Sequence, residues 1–179
     1  MADYELPPPS AFQSLSSKDR ITIITHLLEK SPALESLILP GFLSATSYGE
    51  LVAYSRALLL NLASESQNDP TKREILLEIL AAHPRLGARK IDSAHSVAEQ
   101  ASLQGEAEAL AALNKEYEEK FPGLRYVVFV NGRPRDVIMA DMRSRITRGE
   151  YELEKIEAVN AMCDIAIDRA KKLGAGHIA

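Results

Sequence analysis

The chain has a single cysteine, Cys163, which excludes an internal disulfide and any thiolate-rich metal site. It has no apolar run of the ~18 residues that a membrane-spanning helix needs. It has no excess of positive charge: the formal net charge is −4 and the pI about 5.6, against a nucleic-acid partner, which calls for a basic patch or stripe. The segment Met1-Ala2-Asp3-Tyr4-Glu5-Leu6 lacks the basic start and apolar core of a secretory signal. The tripeptide His177-Ile178-Ala179 does not match the Ser-Lys-Leu peroxisomal type. These absences predict a cytoplasmic location and leave a peroxisomal one open. Also missing are a Gly-x-x-x-x-Gly-Lys phosphate loop, a Gly-x-Gly-x-x-Gly turn, a His-Glu-x-x-His zinc pair and a Gly-x-Ser-x-Gly elbow.

What remains is 179 residues, 46% hydrophobic, enough for one well-filled core and one domain over 1–179. Pro7-Pro8-Pro9 reads as an extended lead-in over about 1–15, and residues 174–179, with Gly174 and Gly176, as a frayed tail. Between them the pattern is helical. Ser16 or Ser17 caps a run with Ile21, Ile24, Leu27 and Leu28 at helical spacing. Ser31-Pro32 stops or restarts a helix, and Pro40-Gly41 breaks the chain. Ser47-Tyr48-Gly49-Glu50 matches a capping box, and Asp69-Pro70 is a cap followed by proline at the first helical position. Pro84 disfavours helical geometry at the preceding residue, so that helix ends near His83. A long helix follows from about Ser96 to Phe121, with Leu103, Ala107, Leu110, Asn114, Tyr117 and Phe121 on one stripe. Two more span Asp136 to Ile146, and Glu150 to Leu173 with Leu153, Ile156, Met162, Ile165, Ala166 and Arg169 along it. The expected fold is an all-α bundle of seven or eight helices. The β-branched and aromatic run Tyr126-Val127-Val128-Phe129-Val130, closed by Asn131-Gly132, has no partner strand and reads as an extended segment buried between helices.

Four places could carry chemistry. His83 is the best acid–base candidate, because an imidazole titrates near neutrality and Pro84 fixes the backbone beside it. The competing reading is a histidine at a helix C-terminus, bonding a free carbonyl. Ser96, Glu99 and Gln100 share one face of a first helical turn. They form a capping box by local pattern, and the same free N–H groups suit an anion such as a substrate carboxylate. The extended run offers backbone N–H and C=O groups that need partners, from the protein, water or a flat amide-rich ligand. Arg145, near the apolar side of its helix, reads either as a bidentate grip on a carboxylate or as a surface ion pair with Asp141 or Glu150.

The order of the pieces resembles the 2-oxo-4-hydroxy-4-carboxy-5-ureidoimidazoline (OHCU) decarboxylase family of ureide and purine catabolism. The residues that carry the resemblance are Ala82-His83-Pro84-Arg85-Leu86-Gly87, Ser96-x-x-Glu99-Gln100 and Leu113-Asn114-x-x-Tyr117-x-x-Lys120-Phe121. After them come residues 126–130 with Gly132, Ile138, and Arg145-Ile146. The resemblance implies an all-helical, commonly homodimeric enzyme that converts OHCU to (S)-allantoin without metal or organic cofactor. It implies His83 as the acid–base residue, and Glu99 polarising the hydroxyl and ureido end. Ser96, Gln100 and Pro84 would hold the ligand, and Arg145 would engage anionic groups. The backbone of Tyr126, Val127, Val128, Phe129 and Val130 would read the ring amides. One departure stands out. Where members carry a Phe-Gly-Phe-Pro-Phe-like stretch, this chain has Phe121-Pro122-Gly123-Leu124-Arg125-Tyr126, which is expected to put Arg125 close to the ligand. Two alternatives therefore stay open: a family-shaped enzyme for another small ureide or carboxylic acid, and a non-catalytic helical interaction module.

Overall fold

Short polar side chains set most of the helix starts. Ser16, Ser31 and Ser47 each accept a hydrogen bond from a backbone N–H three residues on, and Asp69 accepts two, with Pro70 at the first helical position. The helices so begun are α1 (Ser17–Leu28), α2 (Pro32–Ile38), α3 (Tyr48–Glu65) and α4 (Pro70–Ala81). Three more follow, α5 (Val97–Lys120), α6 (Arg135–Arg148) and α7 (Tyr151–Lys172). The computed structural model describes residues 4–87 and 97–174, the side chains of 97–105 excepted, and among these it has no strand. The all-α expectation holds. No described helix is long and apolar enough to cross a membrane.

The capping box at Ser47 is only half formed. Ser47 accepts from the Glu50 N–H, but the Glu50 carboxylate turns to the N–H and hydroxyl of Thr46 instead of the N–H of Ser47. Gly149 ends α6 in the left-handed conformation, its N–H bonded to the Arg145 carbonyl.

Two segments expected to be irregular are helical. Residues Pro9–Ser14, placed in the extended lead-in, form a 3₁₀-helix, as do Leu39–Ser44 around the Pro40-Gly41 break. Proline is tolerated in a first turn, and both turns drive an aromatic ring inward. Phe12 and Phe42 are fully buried, 5.1 Å apart between ring centroids, and Phe12 also packs edge-on against Tyr48. The Tyr48 hydroxyl donates to the Pro7 carbonyl, and the Leu6 N–H bonds the Leu173 carbonyl, so the lead-in lies against the ends of the bundle.

One cluster of buried apolar side chains runs from Leu6 to Ala170, with α7 at its centre, packed on α1 and α3. The buried face of α7 keeps Met162 and Ala166 of the expected stripe but departs from it in the first turns. Leu153 and Ile156 are exposed, while Glu154 and Lys155 are fully buried beside Ala158, Val159, Met162, Cys163 and Ala166. Polar partners meet the two buried charges: Glu154 meets Arg145, and Lys155 meets the Ser66 hydroxyl and Glu152. Cys163 is a core residue as expected, its thiol pushed up to about 11 by burial.

Candidate active site

His83 stands two residues beyond the end of α4 and is 4% exposed. Its backbone N–H still bonds the Leu80 carbonyl, but Pro84 prevents another helical turn. The freed carbonyls of Ala81 and His83 are both taken by the Arg125 guanidinium, at 2.6 and 3.2 Å. Gly87 then turns the chain at φ 83°, where a Cβ atom would lie 2.6 Å from Leu110.

Opposite stands the segment 126–130. It leaves α5 through a turn in which the Leu124 N–H bonds the Phe121 carbonyl. Tyr126 is buried edge-on to Tyr117, and its hydroxyl donates to Asp141. Burial, then the bond to Asp141, raises that hydroxyl far above the ordinary tyrosine value, so it stays a donor at physiological pH. Three carbonyls of the segment are engaged: Val127 by Arg145 at 3.2 Å, Phe129 and Val130 by Arg133. Among the described residues, none of the N–H groups of 126–130 bonds a backbone carbonyl. The segment is neither helix nor strand, buried at Tyr126 and Val127 and partly exposed beyond them.

These two pieces face one pocket of about 630 Å³. His83, Pro84 and all five residues 126–130 line it, with Glu106 and Ala107 of α5, Arg135 of α6, and Ile165, Asp168, Arg169 and Lys172 of α7. A smaller groove of about 450 Å³ shares Arg85, Leu86, Gly87 and Ala107 but does not reach His83. The larger pocket suits a small ligand with an apolar body and several polar edges. Among the described residues, no group of three His, Cys, Asp or Glu side chains is placed to hold a metal ion.

Arg145 is not among the described pocket residues. It is 7% exposed, and its Nε lies 2.8 Å from the fully buried Glu154 and 3.0 Å from Glu157. Its guanidinium carbon sits 4.6 Å from the centre of the Tyr126 ring. Burial works most strongly against its charge, but Glu154, Tyr117 and Glu157 together outweigh it and raise its pKa. The residue therefore supports the pocket wall from behind, through Val127 and Tyr126, in place of the expected grip on a ligand. Of its two readings, the ion pair with Asp141 is formed, at 3.7 Å, though from a buried guanidinium, while the buried pair with Glu154 was not anticipated.

Ser96 lies outside the described residues. Glu99 and Gln100 fall in the first turn of α5, as the pattern implied, but their side chains are not described. Arg125 is turned onto the end of α4 and is not among the described pocket residues. Sequence reasoning passed over the cations that do line the pocket, Arg135, Arg169 and Lys172. A signal existed for Arg169, which falls three residues after Ala166 and four after Ile165 on the stripe of α7.

An all-helical domain with a histidine-bearing, small-molecule-sized pocket is the class that fold and site define. The family model described as OHCU decarboxylase matches residues 13–171, and the chain belongs to that family. A crystal structure of (S)-allantoin synthase superposes with a TM-score of 0.65 at 19% identity, over 94% of this chain and 54% of the other. That likeness is one of fold, and the chain spans about half the length of that structure. Comparison with the curated proteins gives no match.

Proposed function

We propose that the protein decarboxylates OHCU to (S)-allantoin. The observation that carries this reading is the meeting of His83 and the segment 126–130 across one pocket of about 630 Å³. When the carbon–carboxylate bond breaks, its electron pair stays on the ring carbon and passes into the adjacent C=N. Carbon dioxide leaves, the C=N nitrogen takes a proton, and the hydroxyl gives up its own as its carbon becomes a carbonyl. Protonation of the neighbouring ureido-bearing carbon on one face sets the stereocentre. The reaction needs an acid–base group, dipoles for the developing charge and a wall that excludes the other face.

His83 supplies the acid–base group. The N–H groups of 126–130 bind the ring and ureido carbonyl oxygens. Arg169 and Arg135 hold the anionic end of the substrate, the role expected of Arg145. Ser96, Glu99 and Gln100, at the start of α5, bind the hydroxyl and ureido end, and Pro84 packs on the ring. No cofactor enters the scheme. The active species is a homodimer of single-domain chains located in the cytoplasm.

The test is turnover of OHCU generated fresh from urate by urate oxidase and hydroxyisourate hydrolase, with the appearance of (S)-allantoin followed by circular dichroism. Enantioselective product above the spontaneous racemic background is expected from the wild type. His83→Ala is expected to keep its fold and lose that product. Full activity in the variant removes His83 from the mechanism.

A further inference from the structure

Glu29 follows the last residue of α1 with φ 82° and ψ 163°. That region of backbone space is essentially restricted to glycine, and a side-chain-bearing residue stays there only where its surroundings hold it. What holds Glu29 is α7. The Arg169 guanidinium donates from Nη2 to Glu29 Oε1 at 2.6 Å and from Nη1 to the Leu27 carbonyl at 3.3 Å. Arg169 also lines the His83 pocket. A strained residue from the first helix thus grips a pocket arginine 140 positions away in the chain.

Stability does not account for this arrangement. Glycine would make the same turn without strain, and a partly exposed ion pair contributes little to folding. The side chains of Arg169 and Glu29 are 22% and 25% exposed. Orientation does account for it. Two of the three guanidinium nitrogens are tied to α1, which removes the rotational freedom of a long side chain before a ligand arrives. The neighbouring Lys172 is paired with Asp168 on its own helix and does not compete for Glu29.

We propose that Glu29 is a positioning residue, which presents Arg169 to the anionic group of the substrate. The proposal rests on the reading of the pocket as a ureide carboxylate site. It makes the first helix, remote from the motifs that carry the family resemblance, a part of the binding machinery.

The experiment compares the wild type with Glu29→Gly, Glu29→Gln and Arg169→Met. Turnover of OHCU is measured together with the guanidinium Nε–H signal of Arg169 in arginine-labelled protein, assigned by its loss in Arg169→Lys. Glu29→Gly should melt within a few degrees of the wild type, since it removes strain and ion pair together. Its Arg169 signal should exchange freely, and kcat/KM should fall about 10- to 100-fold, mostly through KM. Glu29→Gln, which keeps an acceptor without the charge, should lie between. An unchanged arginine signal in Glu29→Gly overturns the proposal. So does wild-type kcat/KM in that variant when Arg169→Met has lost it, or wild-type kcat/KM in Arg169→Met itself. If the wild type turns over no OHCU, the decarboxylase reading falls by itself, and the arginine signal alone then decides for or against the grip of Glu29 on Arg169.

Discussion

Arg145 shows how a single side chain can matter to a pocket it does not enter. It joins the fully buried Glu154, the Val127 carbonyl and the Tyr126 ring, and Arg148 reaches Glu154 from the far side at 3.0 Å. The Tyr117 hydroxyl donates to the same carboxylate, and burial raises its pKa well beyond the ordinary tyrosine range. Removing one member of a buried pair leaves an uncompensated charge, which is worse than having no pair. Arg145→Met is therefore expected to cost about 3 kcal/mol, with Arg148 still limiting the damage to Glu154. The double variant Arg145→Met with Glu154→Leu should recover most of it. Urea denaturation of the three proteins measures both steps. A double variant no more stable than the single one contradicts the ion-pair account.

At the scale of elements, the end of α4 is the part the site depends on most directly. Four carbonyls at a helix C-terminus lack partners within the helix. Here one guanidinium, that of Arg125, takes the Ala81 and His83 carbonyls and so fixes the backbone that carries the imidazole. Arg125 replaces the proline of the family stretch, and the orientation it adopts makes it a support for His83. Arg125→Ala should lower stability by about 1.5–3 kcal/mol, the range for hydrogen bonds to a charged group. It should also lower kcat by about tenfold or more through misplacement of the imidazole. Arg125→Lys should restore part of both. A variant that loses stability but keeps kcat would confine Arg125 to capping the helix.

At the scale of the whole molecule, surface carboxylates couple folding to pH. A side-chain bond from Arg85 holds the Glu118 carboxyl below its ordinary value of 4.5. The Thr46 N–H, then its hydroxyl, does the same for Glu50. A depressed carboxyl pKa means the unfolded chain takes up protons first as pH falls. The stabilisation is therefore complete above 4.5, the unfolded value, and is lost as pH drops through the lower folded value. The melting temperatures of the wild type and Glu118→Gln should differ by a constant amount above about pH 5.5, and that gap should close toward pH 3. A gap that stays constant to pH 3 excludes the Arg85–Glu118 pair as its source.

The sequence by itself determined most of the α-helices with their starts and stops, though not the 3₁₀ turns at Pro9–Ser14 and Leu39–Ser44, and the meeting of His83 with 126–130 was legible through the family motifs. Caps such as Ser16 and Asp69, and breakers such as Pro84 and Gly149, act within a few residues, so their effects can be read locally. Only the tertiary structure decided which face of the first turns of α7 is buried. Apolar spacing favoured Leu153 and Ile156, but Glu154 meets Arg145 of α6, and Lys155 meets Ser66 at the end of α3 as well as Glu152 on its own helix. Likewise only the tertiary structure chose between the two arginines. Arg145 and Arg169 both sit at helical spacing among apolar residues, and in the folded chain Glu154 draws the first behind the wall while Glu29 holds the second in it. The physical reason is the same in both cases: a buried or half-buried charge goes where a partner of opposite sign can meet it, and that partner sits on another element, nine positions away for Arg145 and 140 for Arg169.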